Sequence, residues 1–183
     1  MKLLQLPTEI IHLVLSELPI KDLVRTERTC KQLQWACLHE INRRMAASHS
    51  DYSLLVHLKQ TAAQWQQFDP KTKTAHYKVD MDPVTIRSMY DQRRLIECTL
   101  LRKKRLLPIS SDDPICIPVQ KGIDSGETVH VSIRNGACQL EANVTHLTPA
   151  PVPLDRKMRL APRCLSYSIQ ITSMSLPLST IAV

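Results

Sequence analysis

The sequence predicts an α+β fold: a three-helix N-terminal motif, a helical connector, and a small antiparallel β-rich module. Three observations carry this reading. Aliphatic residues recur at helical spacing behind two proline-led helix starts between Leu6 and Arg44. Helical signals recur in the connector, residues 47–109, over Asp51–Phe68 and again from Pro83 to about Leu107. Beyond these, an Asn135-Gly136 step separates two stretches of alternating apolar residues, the pattern of a β-hairpin.

The first helix starts at Leu6-Pro7-Thr8-Glu9, with proline where a helix start tolerates it, and carries Ile10, Ile11, Leu13, Val14, Leu15 and Leu18. Pro19 opens a second helix with Ile20, Leu23 and Val24. A third places Cys30, Leu33, Cys37 and Ile41 on one side. Each is too short to be stable alone, so the three must pack together or on a partner. Their surplus of apolar surface suggests a docking face.

The connector reads as two helices. Asp51–Phe68 sets Tyr52, Leu55, Val56, Lys59 and Ala62 on one side and ends at Asp69-Pro70. A polar loop over residues 69–82 follows. Asp82-Pro83 then supplies an N-cap and a proline for a helix to about Leu107, with Ile86, Met89, Ile96 and Leu100 as its buried stripe. The expected units are residues 1–46, 47–109, 110–175 and a flexible tail, 176–183.

In the third unit, Ile115–Val119 reads as a short strand interrupted by Pro118. With Asn135-Gly136 as the turn, Ile133 faces Cys138, Val131 faces Leu140 and Val129 faces Ala142, while His130 meets Glu141 on the other face. Leu165, Tyr167, Ile169 and Ile171 alternate again as a third strand, reached over a proline-rich crossing at 148–153.

The chain of 183 residues is 43% hydrophobic, which argues against gross disorder. Its net charge is +7, and a surplus of five positive charges falls between Ile86 and Arg105. Within that stretch Arg102, Lys103, Lys104 and Arg105 form a candidate nuclear signal or acidic-partner patch. A solvated helix end is the plainer reading. Only Tyr90 offers stacking nearby, so nucleic acid is not the expected partner.

The six cysteines include no CxxC pair and the seven histidines no HExxH motif, so no metal site is expected. Three glycines leave no material for a phosphate loop or a nucleophile elbow. An enzyme is disfavoured, and no cofactor is called for. No signal peptide or membrane-length apolar stretch is visible, so reduced thiols and a cytoplasmic or nuclear location are expected.

The residues Leu6-Pro7-Thr8-Glu9-Ile10-Ile11, Leu15-Ser16-Glu17-Leu18-Pro19, Asp22-Leu23-Val24-Arg25 and Cys30-Lys31 resemble an F-box in order and spacing. The resemblance implies docking on the Skp-type adaptor of an SCF (cullin–RING) ubiquitin ligase, with the rest of the chain capturing an unidentified protein client. Rate gain then comes from proximity, with no catalytic side chain in this chain. Adaptor contacts carry over to Leu6, Pro7, Ile10, Leu18, Pro19, Leu23, Cys30 and Leu33. One position departs from the family pattern: Leu33 stands where a Trp is usual, and Trp35 follows two residues later. The alternative reading is a basic nuclear protein- or nucleic-acid-interaction protein that assembles no ligase.

Overall fold

A computed structural model describes residues 5–47, 54–56, 58–88, 95–98, 100–102, 114–119, 122–147 and 165–181. Three helices come first: α1 (Thr8–Glu17), α2 (Ile20–Thr26) and α3 (Lys31–Ala47). The α+β class holds, with helices followed by antiparallel sheet. Pro7 stands just before α1, and its carbonyl accepts from the amides of Ile10 and Ile11 at 3.0 and 3.1 Å. Pro19 does the same for Asp22 and Leu23 in α2. Ile11 and Leu15 of α1, Leu23 of α2, and Leu33, Cys37 and Ile41 of α3 are buried, so the short helices stabilise one another.

Among the described residues ten strands follow: β1 (Leu54–Val56), β2 (Thr61–Asp69), β3 (Thr74–Val79), β4 (Val84–Ser88), β5 (Leu95–Cys98), β6 (Leu100–Arg102), β7 (Ile115–Pro118), β8 (Thr128–Asn135), β9 (Cys138–Leu147) and β10 (Leu165–Pro177). A last turn of helix, α4 (Leu178–Ile181), closes the described chain. The main sheet runs β6-β1-β2-β3-β10-β9-β8, and β4 pairs with β10 beside β3. A second, two-stranded sheet joins β5 to β7. Both sheets draw strands from either side of residue 110.

The expected helical connector is therefore corrected: its described elements are strands. The spacing of Leu55, Val56, Lys59 and Ala62 was a coincidence of two strands and a turn, in which Gln60 takes a positive φ of 52°. The polar loop expected at 69–82 is half strand. Ala75, Tyr77 and Val79 point inward, while Thr74, His76 and Lys78 point away, so only one face is apolar. Asp69 builds the turn before β3 by accepting from the Lys71 amide at 2.9 Å and the Thr72 hydroxyl at 2.7 Å. Asp82-Pro83 starts no helix. β-branched Val84, Thr85 and Ile86 pair instead with Ile169, Ser168 and Tyr167 of β10. The proposed buried stripe is split, with Ile86 in β4, Ile96 in β5 and Leu100 in β6, while Met89 lies outside the described residues.

The β8–β9 hairpin is present two residues out of the expected register. Asn135 pairs with Cys138, leaving Gly136-Ala137 as the two-residue loop. Gly136 has φ +59° at the first loop position, as a II′ turn requires. A slip of two preserves the faces. Val131, Ile133, Leu140, Ala142 and Val144 all remain buried. His130 still meets Glu141, at 3.5 Å, now as a diagonal neighbour. The expected flexible tail at 176–183 is also corrected over its described residues, 176–181. Leu176 and Pro177 pair with Ala75 and Thr74 of β3, and the Leu178 side chain is buried while its amide donates to the Lys73 carbonyl at 2.8 Å.

Candidate docking surface

Apolar residues of α1 divide cleanly around its axis. Ile11 and Leu15 are 2% and 1% exposed, whereas Ile10, Leu13 and Val14 are 43%, 62% and 41% exposed. Residues three and four apart share a helix face, so these three form one stripe, which exposed Pro7 continues at the N-terminal end. An isolated exposed leucine means little, but a contiguous apolar stripe on a helix is a candidate interaction surface.

The carried-over residues fall into three groups. Pro7, Ile10 and Pro19 are exposed. Leu6, Leu18 and Cys30 are half-buried and pack against the core. Leu23 and Leu33 are buried and hold the helices together. Leu13 and Val14 were missed because the motif marks which residues are apolar and not which way they face. The one clue was spacing: three and four residues on from Ile10.

Leu33 fills an inward position of α3, and Trp35 does not substitute for it. Trp35 is 66% exposed on another face of the helix. Its ring stacks on His39 at a centroid distance of 5.7 Å and meets the edge of His12 on α1 at 6.3 Å. His12 also meets His39 edge-on at 5.7 Å.

The helices are locked by two buried carboxylates. Glu40 accepts from Arg43 at 2.8 and 2.7 Å and from Arg44 at 2.7 Å. Arg44, so oriented, reaches the C-terminal end of α1, donating to the carbonyls of Leu15 and Ser16 at 2.9 and 2.6 Å and to that of Leu18, just past the helix, at 2.6 Å. The last carbonyls of a helix lack a full set of intrahelical partners, although Leu15 also accepts from the Leu18 amide at 3.2 Å, and a cation there suits the helix dipole. Glu27 has a side chain only 1% exposed and accepts from Lys73 at 2.7 and 2.9 Å, joining the helices to the β2–β3 turn.

Hydrogen bonds from Arg43, then those from Arg44, hold the Glu40 carboxyl below its ordinary value of 4.5 against the opposing effect of burial. A group lowered in the folded state stabilises fully above its unfolded value, and that contribution is lost as pH falls through the folded one. Wild type should therefore exceed Glu40→Gln by about 2 kcal/mol at neutral pH. The gap should close progressively below pH 4.5. Urea melts of both proteins across that range check this, and a gap independent of pH would contradict it.

Three buried cysteines are poorly suited to chemistry. Burial, with Glu27 and Cys30 adding to it, pushes the Cys37 thiol up to about 11. Burial likewise raises Cys98 to about 12 and Cys138 to about 11. These thiols stay protonated at neutral pH. Among the described residues no three His, Cys, Asp or Glu side chains gather as a metal site. No described helix is long and apolar enough to cross a membrane. Of the basic patch, Arg102 ends β6, and Lys103, Lys104 and Arg105 lie outside the described residues.

Comparison with curated proteins and with solved structures gave no match. The F-box-like family matches residues 3–46, the span that holds α1, α2 and all but the last residue of α3. The N-terminal helices of this chain are an F-box-like domain, and the remainder is assigned to no family.

Proposed function

We propose that this chain is a substrate-recruiting adaptor subunit of an SCF-type ubiquitin ligase, acting in the cytoplasm or nucleus. The observation that carries the reading is the exposed stripe of Ile10, Leu13 and Val14 on an F-box-like domain. F-box domains generally bind Skp-type adaptors. Here the stripe, with Pro7 beside it, is the apolar area such a contact would remove from water. The sheet beyond residue 54 then presents the client. Transfer of ubiquitin is accelerated by holding the client near the charged enzyme, which asks for no reactive side chain in this chain.

Co-purification with the Skp-type adaptor tests the reading. Wild type should be retained, and Ile10→Glu/Leu13→Glu should be lost while keeping the same thermal melt, because both side chains are already exposed. Failure of the wild type to bind removes the ligase assignment. Equal retention of the double variant removes the stripe as the docking face.

A further inference from the structure

A cleft of about 200 Å³ opens between α3 and the β2–β3 turn, lined by Trp35, Leu38, His39, Asn42, Phe68 and Pro70. Its walls are largely apolar and aromatic, and Asn42 offers an amide. Small-molecule sites usually enclose roughly 300–1,000 Å³, so this cleft suits one inserted side chain better than a whole ligand. Its surroundings are basic. Lys31 lies one helical turn before Trp35 and Lys71 follows Pro70; both are exposed, and neither is in an ion pair among the described residues. The nearby carboxylates are already engaged: Asp69 accepts within its own turn, and Glu40 is held by two arginines.

The cleft is also separate from the α1 stripe. His12, which touches Trp35 and His39, is two residues from both Ile10 and Val14, about 200° around a helix of 3.6 residues per turn. The centre of the stripe and the cleft therefore lie on largely opposite sides of α1.

We propose that this cleft docks an acidic peptide segment through one large apolar side chain, with Lys31 and Lys71 pairing its flanking carboxylates. The proposal rests on the reading of the chain as a client-recruiting adaptor and identifies the client by its chemistry. Trp35 is the anchor, since a large exposed aromatic in a partly formed pocket carries binding energy at low entropic cost. The lysines supply steering and sign selectivity, screened by salt.

Selection of a random-peptide display library on the full-length chain tests this. Enriched sequences should hold one large apolar residue flanked by Asp or Glu. A synthetic peptide of that consensus should lose at least about tenfold in affinity for Trp35→Ala, as anchor residues do. It should also weaken for Lys71→Glu and at raised salt. Both variants should still retain the Skp-type adaptor, which separates this proposal from the docking assignment. The converse holds for Ile10→Glu/Leu13→Glu, which should lose the adaptor and keep the peptide. No enrichment, neutral or basic consensus sequences, or equal binding to Trp35→Ala would overturn the proposal. So would concentration-dependent self-association abolished by Trp35→Ala, which would give the cleft to a second copy of the chain.

Discussion

Deleting Thr172 is expected to abolish cooperative folding. Thr172 is the extra residue of a bulge in β10: Ile171 pairs with Ala142 of β9, and Ser173 pairs with the next residue, Glu141. Before the bulge, Tyr167, Ile169 and Ile171 point inward; after it, Met174 and Leu176 do, followed by Leu178. The inward parity changes from odd to even across that single residue. Without it, one half of β10 must turn its side chains to the wrong face.

If the C-terminal half turns, Met174, Leu176 and Leu178, now 1%, 1% and 2% exposed, leave the core. At about 1.5–3 kcal/mol for each side chain, the loss is roughly 5–9 kcal/mol. The whole stability of a domain is about 5–15 kcal/mol, so little remains. The damage also spreads, because Ser173–Pro177 is the segment that pairs with β3, through which β2, β1 and β6 join the sheet. Thr172→Ala keeps the chain length and loses only a hydrogen bond of 3.3 Å to the Glu141 carbonyl, at a cost of about 1 kcal/mol. Thermal denaturation followed by circular dichroism distinguishes the two. A sharp transition near the wild-type temperature in the deletion variant would mean that the bulge does not set the faces.

Lys73→Met should cost about 3 kcal/mol, near the low end for a broken buried ion pair because Lys73 is itself 37% exposed. The damage lies in what remains. Glu27 would keep a Gln34 amide at 3.3 Å and a largely exposed Arg28 guanidinium at 3.8 Å, too little for a carboxylate with 1% exposure. Glu27→Leu/Lys73→Met removes both charges and should recover to within about 1 kcal/mol of wild type. Urea denaturation of the two single variants and the double variant measures the coupling. Additive losses would show that the two groups do not act as a pair.

The sequence was readable where its signals were local. Pro7 and Pro19 mark helix starts whose partners lie within a few residues, and α1 and α2 begin next to them. The β8–β9 hairpin was readable in its faces but not in its register: Asn135-Gly136 locates the turn, yet Gly136 takes the first loop position and not the second. The connector was unreadable because its strands are completed from far along the chain. Nothing near Thr74–Val79 announces that Ser173–Pro177 will pair with it. Its outward Thr74, His76 and Lys78 made it look like a loop. The docking stripe was half visible. Ile10 came from the motif, while Leu13 and Val14 needed the packing of α1 on α3 to show which face stayed uncovered. Trp35 was noticed as a misplaced residue, and only its burial relative to Leu33 shows that the two serve different faces.

Calorimetric titration of the full-length chain with the purified Skp-type adaptor tests the central claim most directly. Saturable one-to-one binding is predicted, with a negative heat-capacity change from apolar burial and no detectable heat for Ile10→Glu/Leu13→Glu. Absence of binding by the wild type, or unchanged binding by the double variant, would contradict the account.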